Sequence, residues 1–331
     1  MSDVSVLVLN YNGQEFIRPC LDSVLAQECA AKEVIVVDNA SPDGSARIVA
    51  ADFPQVHLLE SKQNLGFAGG MNLGIKQSSS ELILLLNNDV VLEPGFLSAM
   101  IEAIESDRRI GSVSGKIFKM ARRQERIIDT TGHVIFRNRL FTDRGDDEPD
   151  TGQYDEVEEV FGACAGAGLY RREMLEDTKI GEEYFDESFF MFLEDTDLNW
   201  RAQLRGWKCL YTPKAIAWHW RGGTAVRRSR LVETHNYKNR YMMIIKNDSG
   251  LSLLKSVHHF LVTDFIKSAA LLWRCPAALL GWFDVWRNLP ALLRKRRIIQ
   301  RSRTVGRKEF ERWFQPFDYK GWIGRHLGRG K

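Results

Sequence analysis

The sequence has few cysteines and no pattern that would pair them. The five cysteines among its 331 residues are odd in number, widely spaced and form no C-x-x-C pair. Disulfide-dependent domains are much richer in cysteine, and structural zinc sites bring their cysteines in closely spaced pairs. The composition therefore argues against a disulfide framework and a structural zinc site, and it fits a reducing cytoplasm.

Long apolar runs are also missing. No stretch offers about 18 uncharged apolar residues, the length that a membrane-spanning helix needs. The most apolar region, 257–286, is interrupted by four charged residues and a proline. The first apolar run, Val4–Leu9, is too short for the apolar segment of a signal peptide. We therefore expect a cytoplasmic protein without a transmembrane span.

Two common nucleotide-binding loops are absent from the sequence. No G-K-[ST] tripeptide follows the glycine-rich segment Asn64–Gly74, so this segment is not a Walker loop. The first predicted strand leads into Asn10–Gly13 rather than into G-x-G-x-x-G, which argues against a nicotinamide-dependent Rossmann enzyme.

Charge is distributed unevenly along an otherwise ordinary globular composition, with 44% apolar and 27% charged residues. Residues 251–331 contain 17 Lys and Arg against five Asp and Glu, whereas acidic residues predominate in the first 250. An acidic body with a basic tail suggests different partners for the two parts. The tail carries no recognisable nucleic-acid-reading motif, so we expect no nucleic-acid partner.

The first third of the chain alternates predicted strands with predicted helices. β-Branched and apolar runs indicate strands at 4–10, 33–38, 56–60 and 82–86, and helical spacing is found at 16–27, 45–53 and 67–77. This alternation predicts an α/β sheet, mainly parallel, with flanking helices and with ligands bound beyond the carboxyl ends of the strands.

The rest of the chain is less regular. Residues 107–160 are charged and irregular, and we interpret them as a variable excursion with some hairpin character. Two short strands are predicted near 208–211 and 215–218, and from about residue 251 the pattern becomes helical, basic and rich in tryptophan.

Polar residues that follow the predicted strands are the first site candidates. Asp38 ends the second strand, where a carboxylate can bind a nucleobase or ribose edge or can simply close the turn. Asn87, Asn88 and Asp89 follow the fourth strand, and a carboxylate there can hold a divalent cation or cap the next helix.

Two further candidates lie later in the chain. Glu194, Asp195 and Asp197 stand at a predicted helix start, where acids are common for electrostatic reasons. The apolar run at 189–193 leads directly into them, however, and a partly buried carboxylate beside a cleft can act as a general base. His219 lies between two tryptophans, a setting that is typical of a core histidine.

Taken in order, these segments resemble the family 2 glycosyltransferases of the GT-A fold, and most closely a bacterial, rhamnosyltransferase-like branch. The resemblance covers about residues 1–245. It rests on VSVLVLNYNG at 4–13, VVDNAS at 36–41, NLGFAGGMNLGI at 64–75, LLLNNDV at 84–90, GAGLYRRE at 166–173, FLEDTDL at 192–198 and the segment around His219.

The resemblance implies a role for each candidate. It implies that Asp195 is the catalytic base, that Asp89 binds a metal ion together with His219, and that Asp38 reads the nucleobase. The residues it assigns to nucleotide-sugar binding are Asn10, Asp38, Asn64, Gly66, Asn72, Asn87 and Asn88. Asn87 replaces the first acid of the family's D-x-D motif.

The implied activity is an inverting transfer dependent on Mg²⁺ or Mn²⁺, with dTDP-L-rhamnose as the favoured donor and a glycan or lipid-linked hydroxyl as acceptor. A UDP-hexose or UDP-galactofuranose donor is the alternative within the family. A non-catalytic nucleotide-sugar-binding protein is the alternative outside it. The sequence leaves the acceptor, the linkage position and the oligomeric state open.

We expect a GT-A catalytic domain at 1–247 and a C-terminal helical, basic, amphipathic region at 248–331. The catalytic domain would bind nucleotide sugar through 1–90 and acceptor through 91–247. In the C-terminal region, Leu254, Val257, Leu261, Phe265 and Leu272 form one apolar stripe, and Arg294–Arg297 are all basic. These features predict peripheral binding to the anionic inner face of the cell membrane, with packing on the catalytic domain as the alternative.

Overall fold

A ten-stranded mixed sheet and a separate three-stranded sheet organise this computed structural model, which describes residues 3–221 and 229–319. The strands are β1 (Val4–Asn10), β2 (Glu33–Asp38), β3 (His57–Glu60), β4 (Leu82–Asn87), β5 (Val90–Leu92), β6 (Ile110–Lys119), β7 (Ile128–Thr130), β8 (His133–Phe136), β9 (Phe141–Asp143), β10 (Glu158–Val160), β11 (Ala167–Arg171), β12 (Lys208–His219) and β13 (Phe314–Gln315).

Helices cover both faces of the large sheet and make up most of the C-terminal region. They are α1 (Ile17–Leu25), α2 (Ser45–Asp52), α3 (Gly66–Gln77), α4 (Phe96–Glu105), α5 (Arg172–Thr178), α6 (Glu194–Arg205), α7 (Arg230–Asn247), α8 (Gly250–Lys255), α9 (Val257–Arg274), α10 (Gly281–Ser302) and α11 (Arg307–Phe310). None of the described helices is both long enough and apolar enough to cross a bilayer.

The N-terminal half of the sheet is parallel, in the order β3-β2-β1-β4. Apolar clusters lie on its two faces, one formed with α1 and α4 and the other with α3 and α6. A strand buried on both faces needs apolar residues at consecutive positions. The sequence shows such runs, and they predicted these strands correctly. The predicted α/β architecture is confirmed.

The prediction for residues 107–160 was wrong in one respect, because they include a central strand. All ten residues of β6 are buried, and β6 pairs with β11 and β12. Its buried lysines conceal the strand from a hydropathy pattern. Lys116 forms ion pairs with Asp150 and Asp155, and Lys119 pairs with two further aspartates.

The two short strands predicted near 208–211 and 215–218 form one strand, β12. Its pairing register with β6 shifts between Tyr211 and Ile216, a stretch that contains Pro213. Proline cannot donate a ladder hydrogen bond, which accounts for the irregularity that divided the strand in the sequence.

The C-terminal helices share an apolar cluster with the preceding α/β body. This cluster includes Trp200 of α6, Met243 of α7, Leu292 of α10 and Phe310 of α11. The chain then adds β13 to β8. The helical character of the C-terminal region is confirmed. The predicted boundary at residue 247 falls between α7 and α8, and helices on both sides of it pack in this one cluster.

Candidate active site

Three of the predicted nucleotide-pocket residues meet at the carboxyl ends of β1, β2 and β4. Asn10 donates from Nδ2 to Oδ1 of Asp38 at 2.7 Å, and Asn88 donates from Nδ2 to Oδ1 of Asn10 at 2.8 Å. All three residues are buried. Gly13 packs against the Asn10–Asn88 hydrogen bond so closely that a Cβ atom there would overlap both side chains. Asn88 therefore orients Asn10, which in turn orients Asp38.

The predicted residues Asn64 and Gly66 lie together where the chain enters α3. Asn39 was not among the predicted site residues, yet its Nδ2 donates to Oδ1 of Asn64 at 3.0 Å and to the carbonyl of Gly66 at 2.9 Å. Gly66 has φ +70°, and a Cβ atom there would overlap the carbonyl oxygen of Phe190. Glycine is therefore required at this position both by its backbone conformation and by the close approach.

Asn72 is placed differently from the other predicted nucleotide-sugar residues. Its side chain donates to the carbonyl of Phe185 at 2.8 Å and accepts from the Phe185 N–H at 2.8 Å. It also donates to Glu187, and only 1% of Asn72 is exposed. Both ends of its amide are thus engaged within the protein, where they tie α3 to the segment that leads into α6.

Asp89 and His219 face each other across paired strands. Val90, the residue after Asp89, is in register with His219 in the β5–β12 ladder. Nε2 of His219 lies 3.2 Å from Oδ1 of Asp89, and Nδ1 of His219 lies 2.8 Å from Oδ2 of Asp129. Asp129 is 1% exposed. A carboxylate behind a histidine fixes the ring and its tautomer, an arrangement common around metal ions.

The charges around His219 control its protonation. Burial on its own lowers the pKa of His219, but its hydrogen bonds and charge interactions with Asp129 and Asp89 outweigh burial and raise the pKa to about 9. The ring can therefore donate to both carboxylates. A cation bound between Asp89 and His219 would replace the Nε2 proton, and an imidazole with a carboxylate is a donor set suited to Mn²⁺.

Asp195, the predicted base, stands at the start of α6 with both oxygens held by backbone amides. Ala165 N–H donates to Oδ2 at 3.2 Å, and Thr196 N–H donates to Oδ1 at 2.6 Å. The side chain keeps 15% exposure. The preceding residue, Glu194, is buried, and this burial together with the charge of Asp195 raises its pKa well above the usual range.

A chain of ion pairs and close polar contacts connects the Asp89–His219 pair to Asp195. Arg221 forms ion pairs with Asp129 and Asp143, and Nε2 of His133 lies 3.6 Å from an oxygen of Asp143 and from Oδ2 of Asp195. Asp129, His133 and Asp143 were not predicted, because all three lie in the charged, irregular segment 107–160. The β-branched run that places Asp129 between Ile128 and Thr130 was the available signal.

His133, Asp143 and Cys164 bring potential metal-binding atoms within 4.8 Å of one another. The tautomer of His133 argues against a metal there. Asn199 Nδ2 donates to the carbonyl of Ala163 at 2.8 Å, which orients the amide, and the same nitrogen lies 3.1 Å from Nδ1 of His133. Nδ1 is thus the acceptor and Nε2 carries the proton, so no lone pair faces Asp143.

Comparison with known sequences gives a coherent assignment. A family model described as "Glycosyl transferase family 2" matches residues 5–178. A poly-beta-1,6-N-acetyl-D-glucosamine synthase of Staphylococcus epidermidis is 27% identical over 218 residues, which cover 65% of this chain and 49% of the synthase. The synthase of the same name from Staphylococcus aureus (strain COL) is 26% identical over 223 residues, covering 66% and 50%. The chain spans about half the length of these relatives.

Solved structures give the same fold. GalNAc-T7 with UDP, GalNAc and Mn²⁺ superimposes with a TM-score of 0.64 at 13% identity, covering 98% of this chain and 58% of that one. Mannosyltransferase PcManGT from Pyrobaculum calidifontis, in complex with GDP-Man and Mn²⁺, gives 0.52 at 16%, covering 91% and 88%. Residues 1–349 of Staphylococcus aureus TarS give 0.54 at 18%, covering 91% and 86%. The GT-A fold implied by the sequence resemblance is confirmed.

Proposed function

The chain belongs to glycosyl transferase family 2, and from this premise we propose that it is an inverting, metal-dependent transferase acting on a nucleotide-sugar donor. The observation that carries the proposal is the pairing of two sites. One is a carboxylate–histidine pair backed by Asp129, and the other is an aspartate held by two backbone amides.

Asp195 supplies the proton acceptor in this proposal. The amides of Ala165 and Thr196 hold its carboxylate in one orientation, in which it would receive a proton from the acceptor hydroxyl. A single carboxylate that activates the incoming oxygen implies one displacement at the anomeric carbon. One displacement inverts the configuration, as in the inverting glycosidases.

Asp89 and His219 are the residues that would hold the cation. A bound Mg²⁺ or Mn²⁺ would act as a Lewis acid towards the diphosphate leaving group. The protein contributes the fixed spacing of the pair and the buried Asp129 behind it. Asn10 and Asp38 would line the nucleobase end of the same sheet edge, where Asn88 keeps Asn10 in place.

For the donor we propose dTDP-L-rhamnose, because the motifs resemble the rhamnosyltransferase-like branch. A UDP-hexose or UDP-galactofuranose is the second candidate, and the name of the poly-beta-1,6-N-acetyl-D-glucosamine synthases that the chain resembles adds N-acetylglucosamine to the sugars to be tested. The acceptor in this proposal is a hydroxyl of a glycan or of a lipid-linked saccharide used in cell-surface polysaccharide synthesis.

Calorimetric titration of the full chain tests the donor and the enzyme class together. The probes are dTDP-L-rhamnose, UDP-N-acetylglucosamine, UDP-galactofuranose and UDP-glucose, each with and without Mn²⁺. We expect one sugar nucleotide to bind with Mn²⁺-dependent affinity and to be consumed once a suitable acceptor is added. Binding without transfer or hydrolysis of any donor would favour the non-catalytic alternative. The presence of both Asp89 and Asp195 argues against that alternative.

We also propose that the C-terminal helices place the enzyme on an anionic membrane surface. The predicted stripe on α8 and α9 faces solvent, with Leu254, Leu261 and Phe265 at 68%, 59% and 77% exposure, and the neighbouring Trp273 at 90%. Neighbouring exposed apolar side chains that together form one face are typical of interaction sites. Tryptophan at such a face suits the headgroup boundary of a bilayer.

The basic cluster at 294–297 contributes less to this surface than the sequence suggested. Lys295 forms ion pairs with Glu183 and Asp186, and Arg296 donates to the backbone carbonyls of Ile245 and Asp248. Of the four residues only Arg294 and Arg297 are exposed. The apolar face is therefore the main element of the proposed membrane contact.

Co-sedimentation with vesicles of phosphatidylglycerol and phosphatidylethanolamine tests this surface. We expect Phe265→Ser combined with Trp273→Ser to abolish sedimentation. The matched control, Val157→Ser with Leu231→Ser, removes two exposed apolar side chains elsewhere. Light scattering tests whether a second copy of the protein covers this face instead. A concentration-dependent dimer that Phe265→Ser with Trp273→Ser abolishes would show that it does.

A further inference from the structure

The turn that leads into the proposed base has an unusual backbone. Phe190, Phe192 and Leu193 have φ of 65°, 68° and 66° respectively. Residues with a Cβ atom rarely adopt this region, and three of them within four positions need external support. Leu193 is the N-cap of α6, and Asp195 is the second residue of that helix.

One side chain supplies much of this support. Nδ2 of Asn239, in the middle of α7, donates to the carbonyls of Phe189, Met191 and Phe192 at 3.1, 2.8 and 2.8 Å. Asn239 is completely buried. The two hydrogens of this amide therefore donate to three carbonyls, so one hydrogen is shared between two carbonyl oxygens.

The orientation of the Asn239 amide is fixed from its other end. Nζ of Lys238 donates to Oδ1 of Asn239 at 2.8 Å and to the carbonyl of Ser188 at 3.1 Å. Because an ammonium group can only donate, the oxygen of the amide faces Lys238 and its nitrogen faces the turn. An aspartate at this position would present acceptors to three carbonyl oxygens.

The opposite side of the turn contacts the proposed donor-binding half. The carbonyl of Phe190 accepts from Ala68 N–H at 3.2 Å, and Gly66 leaves room for that carbonyl. The turn is thus fixed between α3 on one side and α7 on the other, with α6 and its aspartate continuing from it.

We propose that Asn239 is a positioning residue for Asp195: it holds the left-handed turn at 190–193 in place and thereby sets the start of α6. This inference rests on the proposed role of Asp195 as base. Without the three hydrogen bonds, the turn would relax towards ordinary backbone conformations and the carboxylate would move. A displacement of about 1 Å in a catalytic group can cost a rate on the order of 10²-fold.

The kinetic test uses Asn239→Asp and Asn239→Ser, the second of which is smaller and carries no charge. With donor and acceptor saturating, we expect kcat to fall by about 10- to 100-fold. We expect the Kd for the nucleoside diphosphate with Mn²⁺ to stay within about threefold, since Asp38, Asp89 and His219 stand on other elements. The control is Leu292→Ala, which opens a cavity in the apolar cluster shared by α7 and α10. It should lower Tm while kcat per donor-binding molecule is retained.

Hydrogen exchange gives a readout that does not need activity. Peptides covering 189–198 should lose protection in Asn239→Ser but not in Leu292→Ala. Unchanged exchange there in Asn239→Ser, or a kcat above half of the wild-type value, would overturn the inference. A wild-type protein that processes no donor, with exchange altered as expected, would refute the proposed function while leaving the support of the turn by Asn239 established.

Discussion

Nε2 of His219 lies 3.2 Å from Oδ1 of Asp89, and strand pairing sets this spacing, because the residue after Asp89 is in register with His219. The two side chains belong to positions 130 residues apart in the chain. We expect Asp89→Ala to weaken nucleoside diphosphate binding in Mn²⁺ by at least about tenfold, because the neighbouring Asn87 and Asn88 cannot replace its charge. Calorimetry with and without Mn²⁺ measures this, with the surface change Asp52→Ala as control. Unchanged metal dependence would show that the ion is held elsewhere.

Asp129→Asn should weaken Mn²⁺ binding by about 10- to 100-fold, the usual effect of losing the charge behind a metal-binding histidine. Because the substitution also leaves Arg221 and His219 with less compensating charge in a buried setting, Tm in EDTA should fall, and the affinity is therefore measured well below the Tm of the variant. Titration of free Mn²⁺ by electron paramagnetic resonance measures the affinity. An affinity equal to that of the wild type would remove Asp129 from the metal site.

Mn²⁺ binding should strengthen as pH rises from 7 to 9. The pKa of His219 is raised from 6.5 to about 9 in the metal-free fold. Protonated His219 therefore stabilises the folded state fully below about pH 6.5, and this stabilisation is lost as pH rises through about 9. Because Mn²⁺ must displace the Nε2 proton, we expect release of nearly one proton per ion at pH 7. Calorimetry in two buffers of different ionisation enthalpy counts the protons, and His219→Gln should abolish their release.

Asp195→Asn should reduce kcat by about 10²- to 10⁴-fold while donor affinity is preserved, because it removes a proton acceptor without changing its shape. Initial rates with an authentic acceptor measure the loss, and calorimetry with the donor provides the control. Near wild-type turnover would reduce Asp195 to an ordinary acid at a helix start.

Glu194→Gln should stabilise the protein at alkaline pH. Burial and the charge of Asp195 raise the pKa of Glu194, so its carboxyl favours folding below the unfolded value near 4.5 and loses that contribution as pH rises through the folded pKa. A neutral amide avoids this loss. We expect Tm at pH 8 to rise by about 2–4 °C, the shift that 1 kcal/mol produces in a domain of about 200 residues. At pH 5 the difference should be small, and Glu60→Gln, on the surface, should change neither value.

The parallel part of the fold was predictable because its physics is local. Strands such as β1 and β2, buried on both faces, need consecutive apolar residues, and their predicted limits match the structure. β6 was missed for the opposite reason. Its Lys116 and Lys119 are buried only because aspartates about 30 residues later in the chain neutralise them, and no local pattern records such partners.

The candidate site divides in the same way. Asp38, Asp89 and Asp195 lie at the ends or starts of regular elements, which made them candidates, and the family resemblance supplied the role predicted for each. Asp129 and Asn239 act through partners 90 and about 50 residues away respectively, and only the folded chain brings each to its partner.

The two halves of the site differ in what fixes them. Asp89 and His219 sit on paired strands, whose spacing is shared by every rung of the ladder. Asp195 follows a turn supported by Asn239 of α7. Substitutions around α7 would therefore be expected to move Asp195 while leaving the Asp89–His219 pair in place. If the proposed roles hold, a descendant of this chain could evolve a new position for its base while inheriting its metal-holding pair unaltered.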